Sequence, residues 1–111
     1  MIEVRAHLEI KADSQSGWQL VFWVSGGFNY STPFRAMLVD IAEALGKDAA
    51  GFLSLPAYSA DEDFVEGTLR FDDASLAVYY EYALGYLTLA NENREILADA
   101  AERIQRRIAL L

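Results

Sequence analysis

The stretch Asp63–Ala90, DFVEGTLRFDDASLAVYYEYALGYLTLA, constrains the fold more than any other part of the chain. Side chains along a strand point to alternate faces, so apolar residues two apart share one face. Three runs with that period are separated by turn chemistry at Asp72-Asp73-Ala74-Ser75 and at Leu84-Gly85, which predicts three antiparallel strands. One face would hold Val65, Leu69, Phe71, Leu76, Val78, Tyr80, Tyr82, Leu87 and Leu89 as a core. The other would hold Glu66, Thr68, Arg70, Ala77, Tyr79, Glu81, Tyr86 and Thr88, a face that mixes acidic and aromatic side chains. Pairing Phe71 with Leu76 sets Leu69 against Val78, Gly67 against Tyr80 and Val65 against Tyr82, and keeps every apolar residue on one side. That register also puts Glu66 opposite Glu81. Two like charges there need a compensating cation, either Arg70 or another nearby base of the chain, or one brought by a partner.

Upstream, residues 2–11 alternate with Ile2, Val4, Ala6, Leu8 and Ile10 on one side, which predicts a single half-buried strand. A turn at residues 13–17 leads into a second strand over residues 18–25, with Trp18, Leu20, Phe22 and Val24 inward. Its outer side carries Gln19, Val21, Trp23 and Ser25, and a Trp and a Val are unusual on a purely wet face. Gly26-Gly27 ends the strand. Thr32 as N-cap and Pro33 at the first helical position then open a helix with a stripe of Phe34, Met37, Leu38, Ile41 and Leu45, stopped by Gly46. Residues 48–62 contain Pro56 but also Phe52, Leu53 and Leu55. They read as a packed connection with a short edge strand or one helical turn. Asn91 caps a last helix over Glu92–Leu110, with Ile96, Leu97, Ala100, Ala101, Ile104, Ile108 and Leu111 inward. Glu92 and Glu95 open it and Arg103, Arg106 and Arg107 close it, the order that the helix dipole favours. The expected fold is a single α+β domain over residues 1–111. Its order is ββαβββα, with a five-stranded, mainly antiparallel sheet and two helices packed on one face.

Composition removes several functions. There is no cysteine, hence no disulfide and no thiolate metal site. The net charge of −8 repels phosphate backbones and draws basic partners, so nucleic acid is not an expected ligand. His7, the one histidine, has no nucleophile in its neighbourhood of sequence. Gly26-Gly27 lacks the spacing of a phosphate loop. Asp61, Glu62, Asp63, Asp72 and Asp73 could offer oxygen ligands, but not in the calcium-loop pattern. Glu66 and Glu81 on a flat wet face would stay ordinary solvated acids. The expectation is therefore a non-enzyme with no cofactor and no metal. With no signal-peptide pattern and no apolar run long enough to span a bilayer, it is expected in the cytoplasm, away from membranes.

What remains is a surface. Nine of the 17 acids lie between Asp40 and Asp73 against only Lys47 and Arg70, a local net of −7. Trp23, Tyr79 and Tyr86 interleave with Glu66 and Glu81 on the outer sheet face, and exposed aromatics with a charged surround are characteristic of protein–protein contacts. The candidate partner-binding residues are Trp23, Asp61, Glu62, Asp63, Glu66, Asp72, Asp73, Tyr79 and Glu81. In size, acidity, lack of cysteine and element order, the whole chain, including the stretch FVEGTLRFDDASLAVYYEYA, resembles the immunity proteins of bacterial polymorphic-toxin and contact-dependent growth inhibition systems. That resemblance implies a cytoplasmic inhibitor that binds one cognate toxin, often a basic nuclease. The acids would face toxin lysines and arginines, with Tyr79 or Trp23 as anchors. A different reading is a small-molecule-binding domain or minor enzyme, with a pocket between sheet and helices lined by Phe28, Tyr30, Tyr58, Tyr80 and Tyr82. A homo-oligomer assembled through the outer face is a third.

Overall fold

All nine inward residues of the meander are buried in the computed structural model, which describes residues 2–15, 17–24, 34–57, 59 and 61–110. In chain order the elements are β1 (Ile2–Val4), β2 (Glu9–Asp13), β3 (Gly17–Trp23), α1 (Phe34–Ala44), α2 (Ala49–Phe52), β4 (Leu53–Ser54), β5 (Phe64–Phe71), β6 (Ala74–Glu81), β7 (Tyr86–Asn91), α3 (Arg94–Gln105) and β8 (Ile108–Leu110). The class is α+β, with three helices among the described residues. The main sheet has six strands rather than the expected five, all antiparallel to their neighbours, in the order β2-β3-β7-β6-β5-β4. β1 and β8 form a separate parallel pair.

The first strand is divided where a single one was expected. Val4 bridges Val24 while Glu9 pairs with Val21, so the first segment is two residues longer than the stretch of β3 that it faces. The excess is taken up at Arg5–Leu8 as a bulge, which bends the chain and lets Ile2 and Val4 turn into the core. β1 then gains β8 as a second neighbour. This pairing also ends the last helix early: Ile108 aligns with Ile2 instead of continuing the stripe of α3. The start of α3 moves as well. Asn93, not Asn91, is the N-cap, its side chain accepting the Glu95 N–H at 2.9 Å. Asn91 stays in β7 opposite Trp18, donates to the Ser75 carbonyl at 3.0 Å and accepts the Asn93 N–H at 2.8 Å. Leu111, the last of the expected stripe, lies outside the described residues.

The β5–β6 hairpin differs from expectation by two residues of register. Phe71 pairs with Ala74, Leu69 with Leu76, Gly67 with Val78 and Val65 with Tyr80. The turn is the tight pair Asp72-Asp73, with Asp72 at φ 54°, a left-handed conformation that Asp tolerates better than most residues. Glu66 therefore faces Tyr79, and Glu81 faces Phe64 and Tyr86. The expected Glu66–Glu81 pair is not directly opposed, and Gly67 does not lie under Tyr80. Gly67 instead makes room for Leu55 and the Ser54 carbonyl, which cross close above it.

In α1 the stripe holds, with Phe34, Leu38, Ile41 and Leu45 buried and Met37 half-buried. Gly46, at φ 76°, donates to the Glu43 carbonyl at 2.9 Å. Lys47 donates to that of Ala42 at 2.9 Å, closing the helix with paired bonds. The expected start at Thr32 and Pro33, the break at Gly26-Gly27, Ser16 of the first turn and Ser25 of the second strand lie outside the described residues. Residues 48–54 take both of the forms weighed for them: one helical turn capped by Asp48, then the edge strand β4. Inward sheet residues and the apolar faces of α1 and α3 share one hydrophobic cluster, so both long helices lie on the same side of the main sheet. Among the described residues no long helix packs on the other side.

Candidate functional site: the outer face of the main sheet

Strand register sorts the outward side chains into rows. Trp23, Tyr86, Glu81 and Phe64 form one row across β3, β7, β6 and β5. Val21, Thr88, Tyr79 and Glu66 form the next, and Gln19, Ala90, Ala77 and Thr68 the one after. The sheet supplies this order because alternation sends the core residues of the same strands the other way. In the first row Trp23 and Tyr86 are 4.9 Å apart between ring centroids, with the Arg5 guanidinium 5.5 Å from the Trp23 ring and bonded to the Leu84 carbonyl at 2.9 Å. Phe64 is 54% exposed and its ring lies 6.1 Å from that of Tyr79. The Tyr79 hydroxyl donates to Glu81 Oε2 at 3.3 Å. Burial, reinforced by the negative charges of Glu81 and Glu66, raises the Tyr79 pKa, so this phenol sits in the field of both carboxylates.

The middle of the face is drier than a wet sheet surface. Val21 is fully buried and Thr88 is 4% exposed, directly paired between the aromatic row and the alanine row. Beside them opens a hollow of about 480 Å³, with Ala77, Ala90 and Thr88 among its floor residues, Tyr79 and Tyr86 lining it, and Glu66 and Asp13 at its edges. Arg70, the cation expected to compensate Glu66, turns away from it: its guanidinium donates to the Gly51 carbonyl at 2.7 Å and stacks 5.1 Å from the Phe52 ring. Glu66 and Glu81 form no ion pair among the described residues.

The nine candidate residues do not form one patch. Trp23, Glu66, Tyr79 and Glu81 come together on this face, and Asp61 and Asp63 are exposed near its β5 edge. Asp72 and Asp73 sit at the opposite end of β5, roughly 25 Å away at the rise of an extended strand. There Asp72 is already paired with Lys47 at 3.1 Å and Arg103 at 3.8 Å. Glu62 is not a surface acid. Its side chain is 8% exposed and accepts from Arg35 Nη2 at 2.9 Å, Tyr80 Oη at 3.0 Å and Tyr82 Oη at 2.7 Å. Burial alone would raise this carboxyl, but the hydrogen bonds from Arg35, Tyr82 and Tyr80 outweigh it and hold the pKa at about 2. Burial, together with the hydrogen bond to Glu62, pushes the Tyr82 phenol up to about 12. The Glu62 cluster fastens the segment before β5 to α1 and to the inner face of β6.

Phe64 and Arg5 belong to the outer face and were not among the expected site residues. Phe64 was legible from parity, since it shares a face with Glu66. Arg5 is held beside Trp23 by its N–H, which donates to the Trp23 carbonyl at 2.8 Å, and by its guanidinium, which donates to the Leu84 carbonyl. Of the residues expected to line an internal pocket, Tyr80 and Tyr82 are core members packed on Phe34, with ring centroids at 4.7 and 5.1 Å from it, and their hydroxyls are committed to Glu62. Phe28, Tyr30 and Tyr58 lie outside the described residues. Among the described residues no group of three or more His, Asp or Glu converges as a metal site, and no helix is long and apolar enough to cross a membrane. Comparison of the chain with protein-family models, with curated proteins and with solved structures finds no match.

Proposed function

We propose that this chain is a binding protein, acting without catalysis, that docks a basic protein on the outer face of its main sheet. The observation that carries the reading is the row of Trp23, Tyr86, Glu81 and Phe64 on a face that neither long helix covers. Large aromatic rings beside unneutralised carboxylates supply apolar anchors and steer a cationic partner at the same time. The general resemblance to immunity proteins makes a cognate toxin the partner to test, with the chain as its cytoplasmic inhibitor. The experiment is to read the gene immediately upstream and, where it encodes a toxic C-terminal domain, to co-express that domain with this chain. Wild-type protein should protect the cells and purify as a stoichiometric complex, whereas Trp23→Ala combined with Glu81→Lys should abolish both while the isolated variant stays folded. No protection and no complex with the wild-type chain would reject the toxin; full protection by the folded double variant would reject the face.

A further inference from the structure

The hollow on the outer face has a shape and a charge that select one chemical group. Ala77 and Ala90, whose side chains are single methyl groups, contribute apolar lining to it, together with the rings of Tyr79 and Tyr86. Glu66 lies on its border. Glu81 lies one step beyond Tyr79 on the same face, a diagonal neighbour of Glu66 at about 7–8 Å in an antiparallel pair. Among the described residues no lysine or arginine lines the hollow. Eight of the chain's nine Lys and Arg pair or stack with other groups, and none of those partners is Glu66 or Glu81. The counter-charge for these two acids is therefore not provided by the described residues.

Resting on the reading of this face as a docking surface, we propose that the hollow is the subsite for an arginine side chain of the partner. Its methylene stem would lie over Ala77 and Ala90, and its guanidinium would stack beside a tyrosine ring and donate to Glu66. Arginine fits better than lysine because a planar guanidinium stacks on an aromatic face while presenting N–H donors in several directions. An ammonium is a compact, strongly hydrated point charge. At about 480 Å³ the hollow is within the usual range for small-ligand pockets, roughly 300–1,000 Å³, and ample for one side chain.

The test is a backbone-amide NMR titration with N-acetyl-arginine amide, with the neutral isostere N-acetyl-citrulline amide as control. Saturable shifts are expected at Glu66, Ala77, Thr88 and Ala90 with the arginine compound only. Glu66→Gln should weaken them roughly tenfold, the size of one hydrogen bond to a charged group, and Glu102→Gln on α3 should leave them unchanged. Equal shifts with citrulline, shifts confined to other regions, or none up to the solubility limit would overturn the subsite. So would concentration-dependent shifts of the same amides without ligand, since a second copy of the chain would then occupy the hollow. If the arginine compound fails while the chain still protects against the toxin, only the subsite falls; loss of protection takes the docking reading with it.

Discussion

Replacing Glu62 by Gln removes the charge from the one strongly perturbed carboxylate of the described residues while keeping its size. In the folded chain this carboxyl sits at about 2 against a reference value of 4.5. That difference corresponds to about 3 kcal/mol of stability at neutral pH, since each pH unit is worth about 1.36 kcal/mol. The raised pKa of Arg35 is the same ion pair seen from its other partner, so it is counted once. Because the folded-state pKa is depressed, the stabilisation is complete above pH 4.5 and drains away as the pH falls from there towards 2. Arg35 keeps some access to water, so losing the negative charge beside it should not cost more than this value. Urea unfolding followed by the fluorescence of Trp18 and Trp23 should place Glu62→Gln about 2–3 kcal/mol below wild type at pH 7, the gap closing at the acid end of that window. A gap under about 0.5 kcal/mol at pH 7, or one independent of pH, would refute the clasp.

Three further outcomes follow from particular contacts. Gly67→Ala should cost about 1–3 kcal/mol by calorimetry, because a methyl group there meets Leu55 and the Ser54 carbonyl and must push β4 away. At the hairpin, Asp72→Asn should cost less than about 1 kcal/mol, since only exposed ion pairs are lost, whereas Asp72→Val should cost more because a β-branched residue resists φ 54°. Chemical denaturation separates the two. At alkaline pH, the raised pKa of Tyr82 means that its contribution is present below pH 10 and lost as the pH rises towards about 12. Tyr82→Phe should flatten that part of the pH–stability curve.

Alternation alone carried the two-sided logic of the fold: the nine inward residues of the meander, the Phe34–Leu45 stripe and the choice of sheet face for the helices all follow from periods of 2 and 3.6. It is blind to a slip of two. Pairing Phe71 with Ala74 or with Leu76 leaves the same residues inward, so only the turn could decide between them, and Asp72-Asp73 decided for the tighter one. The break in the first strand and the early end of α3 share one cause, the pairing of Ile2 with Ile108, which joins segments more than a hundred residues apart and leaves no local trace. Ile104 and Ile108 keep helical spacing, so period could not separate strand from helix there.

The acidic run 61–63 looked uniform because charge was counted without partners. A clue lay on the other strand: two tyrosines on a core face need acceptors for their hydroxyls, and Glu62 is the acceptor of both. On the outer face the residue types were legible, while their order across the strands awaited the register. That order, and not the total of acids, is what isolates Glu66 and Glu81 from the chain's own cations.

The most direct test plants a cation in the middle of the proposed docking face. Ala77 is exposed on β6, so Ala77→Arg should fold normally while filling the hollow and neutralising Glu66. Calorimetric titration with the proposed basic partner should show affinity lowered at least about a hundredfold, as expected when a central contact is blocked and like charges are opposed. Glu102→Arg on α3 should bind as wild type. Undiminished binding by Ala77→Arg, with binding lost in Glu102→Arg, would put the partner on the helical side and contradict the account.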